Sequence, residues 1–491
     1  MAKNSAHALS LYAVIFFILI AVPITVPFFS SHDWQRAFQV LTAFVLLIAV
    51  NVLRPLFKHA FCISRLLGIC AVVLIVMGAA SALLAHQPRW AFVELALMIA
   101  SVSVSITIAR CRRSLGCQSD RVLFLIVAGL CALKCVQFYA GLTAAFVSGF
   151  PTLDIDVLLE GFSNKRFYGQ FQTMTLPILA LPLLSHGKLP LTRKWFFVLL
   201  CLWWMIAIAG GTRGTWLGMG VSVAIVSFCG ARARQWVGWQ AMACVVAIGL
   251  FWVLFNVLPR NLGIDVVNYA GERLTTSLSA RDIIWHQAIV MIEQRPLLGF
   301  GPMQFADIPN AVAAHPHQAI LQWASEWGIP STILVCAIAL YGLWTTQSLI
   351  RKNAVSYQPV DALRICLFAS IIAGLAQAMV DGIIVMPYSQ LWLAILVGWL
   401  LGVHAQSHLA EHSVSAVSRK AWLGIASAAL VILGYVVVSD FPNLDTQQQD
   451  YLTKRGGRLQ PRFWAQGVIA TPAAYSNVPF APVGYPDDGQ K

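Results

Sequence analysis

The sequence predicts an all-α polytopic membrane protein: a bundle of about 12 transmembrane helices, in the range 11–13, with one long helical loop. Three observations predict it. Only 53 of 491 residues are charged, 11%, against about a quarter in an ordinary globular domain. The hydrophobic share is 58% and the mean hydropathy +0.73. Apolar runs long enough to cross a hydrocarbon core, roughly 20 residues each, recur along most of the chain. Together these exclude a soluble enzyme, a disordered chain and a fibrous protein.

The apolar runs fall near 9–29, 36–53, 61–85, 90–109, 122–148, 167–185, 195–211, 214–230, 236–258, 329–349, 362–383, 388–404 and 421–439. Lys3 precedes the first, but Ser30, Ser31 and His32 follow it with no small-x-small cleavage site, so it reads as a retained span. With residue 1 in the cytoplasm, the inner loops carry 18 cations, among them Arg54, Lys58, Arg110, Arg112, Arg113, Lys188 and Arg232, against three acids, Asp120, Asp361 and Glu411. That asymmetry satisfies the positive-inside rule. The net charge of +13 is therefore mostly topological. No nucleic-acid partner is expected, since no soluble segment interleaves aromatic and basic residues. Eleven cysteines, two of them (Cys62 and Cys70) about two turns apart in one span, have the pattern of a core and not of a disulfide frame.

The chain divides into N-terminal transmembrane helices 1–258, a loop 259–328, C-terminal transmembrane helices 329–439 and a tail 440–491. A loop of this length calls for a function. Ser279-Ala-Arg-Asp282 reads as a capping box, followed by Ile284, Ala288, Met291 and Ile292 at helical spacing, with Pro296 as the stop. Gly299 and Gly301 give a turn, and a second helix is expected from His317 to Trp327, ended by Gly328 and Pro330. That places His317 and Gln318 in a first turn, where the helix dipole favours anions and keeps an imidazole neutral. The tail, with Pro461, Pro472, Pro479, Pro482 and Pro486 and with Lys454, Arg455, Arg458 and Arg462 near its start, reads as a peripheral, partly disordered strap.

Arg281-x-x-x-Trp285, Pro296-Leu-Leu-Gly-Phe-Gly301, His317-Gln-Ala-Ile-Leu-Gln322 and Glu326-x-Gly328 follow in order within this loop. The set resembles the O-antigen ligase superfamily, which comprises lipopolysaccharide O-antigen ligases, O-antigen polymerases and O-linked protein glycosylation ligases. The resemblance implies a bundle with a periplasmic active-site loop in the bacterial inner membrane. It implies transfer of a glycan from undecaprenyl diphosphate to an acceptor hydroxyl, with inversion at the anomeric carbon and with no metal or cofactor. The partners it implies are the undecaprenyl-diphosphate-linked glycan, the lipid bilayer and, as first choice, a lipid A-core oligosaccharide acceptor. A polymerase or a protein-glycosylating ligase is the alternative within the superfamily. The family usually has Asn after its key histidine; Gln318 stands there in this chain.

The residues themselves agree with that chemistry. A departing diphosphate needs fixed cations, and Arg offers a planar fork that stays charged. Arg281 carries the motif, and its alternative is a surface pair with Asp282. Arg213 lies in the turn Gly210-Gly-Thr-Arg-Gly-Thr215 and either contacts diphosphate or snorkels at the interface. Arg166 either supports the diphosphate or pairs with Asp154, Asp156 or Glu160. His317 is the candidate activator of the acceptor hydroxyl and His315 the weaker one. The His-x-His spacing lacks a third ligand, so no metal is expected. Asp381 is an acid near membrane depth and hence a functional suspect; with Gln318 it is expected to orient the acceptor or the histidine. Lys134 and Glu94, both within spans, are expected to form bundle-steadying ion pairs. Trp285, Trp323 and Trp327 could stack on sugars. A transporter of lipid-linked glycans fits less well, because only Lys134 lies deep in a span and no repeat is visible.

Overall fold

The computed structural model describes residues 2–52, 65–184, 190–267, 280–308, 310, 312–404, 416–455 and 459–470. Cys62, Ser279, Arg54, Lys58, Lys188, Arg458, Glu411 and the prolines of 472–486 lie outside them.

The protein is an all-α polytopic membrane protein. Its helices are α1 (Ala2–Thr25), α2 (His32–Val52), α3 (Arg65–Leu83), α4 (Pro88–Leu115), α5 (Cys117–Val147), α6 (Ile155–Leu158), α7 (Lys165–Leu179), α8 (Leu181–Leu184), α9 (Pro190–Gly210) and α10 (Arg213–Ser227). There follow α11 (Ala231–Trp252), α12 (Leu258–Leu262), α13 (Arg281–Gln294), α14 (Ala319–Trp327), α15 (Ile329–Lys352), α16 (Pro359–Ala378), α17 (Pro387–His404), α18 (Ala416–Asp440) and α19 (Leu444–Arg455). Each of the apolar runs read from the sequence carries helix, and among the described residues eight helices are long and apolar enough to cross a membrane. Lipid offers no partner for backbone N–H and C=O groups, so helices are the form such runs must take.

Two close crossings build the core. In α10, Gly214 and Gly218 face α16: a Cβ on Gly218 would lie 2.6 Å from the Ala373 carbonyl oxygen. In α17, Gly398 and Gly402 face α4, and a Cβ on Gly398 would lie 2.3 Å from the Ser105 carbonyl oxygen. Small residues four apart let backbones touch where no hydrophobic force drives helices together. The sheath of α10, α16, α17 and α9 encloses α7, whose Gln170, Gln172, Thr173 and Thr175 are all buried. Threonine hydroxyls there bond back to carbonyls of their own helix, as Thr173 Oγ1 does to Gly169 at 2.9 Å.

The loops gather at two ends. At one, Arg112 pairs with Asp120 at 2.5 Å and Arg364 with Asp361. The other end carries the long loop, and its short connections converge there. Pro151–Asp154 runs alongside Asp265–Val267 as a parallel pair, β1 (Thr152–Asp154) with β2 (Asp265–Val267). Gln35 Nε2 donates to the Gly161 carbonyl at 2.9 Å, and Arg295 Nη1 to that of Leu84 at 3.3 Å.

Three expectations are corrected. Lys134 and Glu94 share no ion pair: Lys134 Nζ donates to the Ile24 and Glu160 carbonyls at 2.9 and 2.6 Å, while Glu94 faces Arg462 at 3.8 Å. The second loop helix starts at Ala319, with His317 outside it. Residues 459–470 are no peripheral strap, because Arg462, Phe463 and Trp464 are buried at 1–2% exposure.

Candidate active site

The ordered loop motifs form one backbone clasp. Phe300 N–H donates to the Ser325 carbonyl at 3.0 Å, Gly301 to that of Glu326 at 2.9 Å, and Ile329 to that of Pro296 at 2.8 Å. Gly299 and Gly328 stand where the two stretches cross, with φ +69° and +82°. A Cβ on Gly328 would sit 2.2 Å from the Leu297 carbonyl oxygen. Only glycine meets both the left-handed backbone and the approach. The clasp fixes α14 against the end of α13.

The turn into α14 carries the histidines. Gln318 is the N-cap, its side chain accepting from Leu321 N–H, so its amide oxygen is engaged by the helix. His317 precedes the cap at φ +53°, a conformation uncommon for a side-chain-bearing residue and a sign of local constraint. Trp285 Nε1 donates to the Pro316 carbonyl at 3.0 Å, and His317 N–H donates to His315 Nδ1 at 3.2 Å. The two imidazoles meet edge to face with centroids 4.1 Å apart. His315 is buried at 2% exposure.

Facing this turn is the connection between α16 and α17. Asp381 Oδ1 lies 3.9 Å from His317 Nδ1, and Asp381 accepts from Gly382 N–H at 2.8 Å and Gln377 Nε2 at 3.1 Å. Arg281, first residue of α13, donates from Nη2 to the Val380 carbonyl at 2.8 Å. Arg166, in the first turn of α7 behind the Asn164 cap, lies near enough to act on His317, Arg281 and Asp381. Arg213 opens α10, exposed, and acts on Arg281. Three guanidiniums against one carboxylate make a cationic cluster.

That field governs the titrations. Burial, then Arg166 and Arg281, push His317 down to about 3, so its imidazole is neutral. Burial and His317 push His315 well below its usual value, and burial lifts the Asp381 carboxyl. A neutral imidazole beside a constrained carboxyl and a cluster of arginines can accept a hydroxyl proton while cations hold an anionic leaving group.

The family model described as O-antigen ligase matches residues 196–336, from α9 into α15. The match covers 141 of the 491 residues and supports the O-antigen ligase superfamily. No curated protein matches it. Members of this family are glycosyltransferase-like enzymes that act on lipid-linked glycans in a bilayer. The matched stretch includes Arg213, Arg281, His315, His317 and Gln318; Arg166 and Asp381 come from outside it.

Sequence reasoning missed the buried ion cluster around Arg462. Arg462 Nη2 bonds Glu326 Oε2 at 2.7 Å and stands 3.8 Å from Glu94. Its carbonyl accepts from His32 Nε2 at 3.1 Å and Arg36 Nη2 at 3.0 Å. Gln460 Nε2 reaches the Asn310 carbonyl at 2.8 Å, and Ile469 N–H that of Ala306 at 3.1 Å. The tail thus staples the loop just ahead of His315. A signal existed in Pro461-Arg-Phe-Trp464, a cation among bulky apolar residues, but nothing local names its partner.

Proposed function

We propose that this protein transfers a polysaccharide from undecaprenyl diphosphate to a hydroxyl of the lipid A-core oligosaccharide, without a metal and with inversion, at the periplasmic face of the bacterial inner membrane. The observation that carries the reading is the meeting of neutral His317 with Arg166, Arg281 and Asp381 in one cluster.

In the proposed reaction the acceptor hydroxyl gives its proton to the His317 imidazole as its oxygen attacks the anomeric carbon. The bond between that carbon and the phosphate oxygen breaks, and the electron pair leaves with the diphosphate. Arg281 and Arg213 hold the departing charge, with Arg166 in support. Asp381 orients His317 and stabilises the imidazolium formed. His315, through its Nδ1, fixes the His317 backbone, and Gln318 fixes the start of α14.

The low pKa of His317 fits this sequence of events. A bound diphosphate brings about two to three negative charges and offsets the arginines that depress the imidazole. Donor binding therefore makes the base stronger, and the hydroxyl is activated only when the donor is present.

Purified protein, a carrier-linked glycan and rough-type lipopolysaccharide, with a chelator present, test the proposal. Capped lipopolysaccharide is expected from the wild type and none from His317→Ala, with carrier binding retained. Ladders of repeat units still on the carrier would assign a polymerase instead, and intact transfer by His317→Ala would end the catalytic assignment.

A further inference from the structure

Two glutamines from different helices stand behind Asp381. Gln377, in the last turn of α16, donates from Nε2 to Asp381 Oδ2 at 3.1 Å. Gln170, in α7, has its Oε1 taken by Ser389 Oγ of α17 at 2.9 Å. Its Nε2 is left for the same carboxylate, and Gln170 stands close enough to bear on Asp381 without completing a hydrogen bond. Both side chains are 0% exposed, so bulk water does not serve them.

Folding alone does not explain the pair. Each amide leaves one buried atom open to no protein partner, Gln377 Oε1 and Gln170 Nε2. A half-satisfied buried amide is worse for stability than an apolar side chain of the same shape. Space is nevertheless kept for Gln377: a Cβ on Gly214, beside Arg213, would lie 2.9 Å from its Cγ and Nε2. On the other side, a Cβ on Gly382 would lie 2.6 Å from His315 Cε1. The connection that carries Asp381 thus already touches the histidine turn.

The carboxylate needs such holders. Gly382 N–H donates to Oδ1 at 2.8 Å, but an aspartate turns easily about its last side-chain bond. Gln377 grips the opposite oxygen and opposes that rotation. Oδ1 is then the oxygen presented to His317 Nδ1, 3.9 Å away. That nitrogen is buried without a hydrogen-bond partner, which calls for an explanation. A charge-assisted bond of about 2.8 Å is roughly 1 Å from closing there. The local charge also favours an amide. Arg166 and Arg281 already depress the imidazole. A further cation at 377 would hold Asp381 yet oppose the imidazolium; a neutral donor orients the carboxylate and favours its ionised form without that opposition.

We propose that Gln377 and Gln170 are positioning residues of the transfer reaction: they hold Asp381 with Oδ1 toward His317 Nδ1, which leaves Nε2 as the nitrogen that takes the acceptor proton. This role rests on the reading of His317 as the base and Asp381 as its partner.

The test uses full-length protein in nanodiscs, with carrier-linked glycan and rough-type lipopolysaccharide, assayed across pH. Gln377→Met keeps the shape and removes the donor. It is expected to lower kcat about 100-fold, the effect of a misplacement near 1 Å, with both KM values and the unfolding temperature close to wild type. Gln170→Met is expected to lose less in the same direction. Gln377→Glu supplies a donor only while its carboxyl is protonated. Facing it are Asp381, with His315 and His317 from the loop, Arg166 from α7, Arg281 from α13 and Arg213 from α10. The ratio of its kcat to that of the wild type is expected to rise as pH falls, which a space-filling role would not produce, and this holds whether or not Gln377→Met folds. In an Asp381→Ala background Gln377→Met is expected to add no further loss, since both act through one carboxylate. Wild-type kcat in Gln377→Met, a flat ratio in Gln377→Glu, or additive losses with Asp381→Ala overturns the positioning role alone, provided that Asp381→Ala itself loses transfer. Full transfer by Asp381→Ala overturns the parent reading and the positioning role together.

Discussion

Arg462 and Glu326 form an ion pair with Nη2 2.7 Å from Oε2 and side chains 0% and 1% exposed. It joins a residue 29 positions from the end of the chain (491 minus 462) to the loop motif that follows the histidines. Glu326 also accepts from Phe305 N–H at 3.1 Å, and its carbonyl receives Gly301 and Ser81 Oγ. The tail, the glycine turn and α14 therefore meet at one buried residue, the tail at its carboxylate and the glycine turn at its backbone carbonyl. Taking both charges from water is unfavourable by several kcal/mol per ion, so the pair is better read as a device that fixes geometry than as a source of net stability.

Arg462→Met leaves Glu326 buried without its cation. Breaking a buried pair on one side typically costs about 3–5 kcal/mol, and a large fall in unfolding temperature is expected in detergent. Arg462→Met combined with Glu326→Gln removes both charges and is expected to recover most of that loss. Additive losses in the double variant would show that the two side chains act independently.

His317 gives stability a pH dependence whose sign follows from its depressed pKa. The folded protein binds its proton only near pH 3, the unfolded chain near 6.5. Between those values the unfolded state alone is protonated, so stability falls as pH falls, by at most about 1.4 kcal/mol per pH unit. Asp381, raised by burial, slopes the other way: the folded state holds its proton to higher pH than the unfolded chain does. Unfolding temperatures from pH 7 to 4 should therefore fall less steeply in His317→Gln than in the wild type. An unchanged slope would place the imidazole in water.

Much of this architecture is legible in the sequence, because lipid enforces it. Long apolar runs must become helices, and lysine and arginine mark one set of loops. The glycine turn is legible too, since Gly299 and Gly301 punctuate a helical pattern after Pro296. What the sequence hid depends on pairing at a distance. The start of α14 was misplaced by two residues because Gln318 caps it, and a Gln cap is weaker as a signal than Ser, Thr, Asp or Asn. The Arg281 partner is the Val380 carbonyl, and backbone acceptors leave no trace in side-chain patterns. Arg462 lies in a stretch whose prolines and polarity read as unstructured; its side-chain partners are more than a hundred positions away.

The clasp between Pro296–Gly301 and Ser325–Ile329 makes Gly328 sensitive to a single methyl group. Ala at Gly328 must hold φ +82° and place its Cβ 2.2 Å from a backbone oxygen, strain of about 1–3 kcal/mol before the clash is counted. Gly220, within α10, has nothing within 4 Å of its Cβ position, so Gly220→Ala should be neutral or gain roughly 0.5–1 kcal/mol from helix propensity. A parallel thermal scan of the two variants checks the contrast. Equal unfolding temperatures would mean that the motif glycines serve something other than the backbone crossing.

The arginines that hold the leaving group in the proposed mechanism also set the proton affinity of the base, and the two effects separate in a pH profile. Arg166 and Arg281 each lower the His317 pKa, Arg166 the more. His315 faces the same ring as a neutral imidazole, and Asp381 lies on its other side at 3.9 Å. Removing a positive neighbour lets the imidazole hold its proton to higher pH. The acid limb of kcat/KM, which reports ionisation in the free enzyme, should therefore move upward from about 3 in Arg281→Gln and further in Arg166→Gln. Both variants should also bind the carrier diphosphate more weakly, because each withdraws one cation from the leaving group. Arg281→Lys keeps the charge but loses the planar fork that reaches the Val380 carbonyl; it should leave the acid limb nearly in place while lowering kcat. An acid limb that stays fixed in all three would show that the titrating base is a group other than His317.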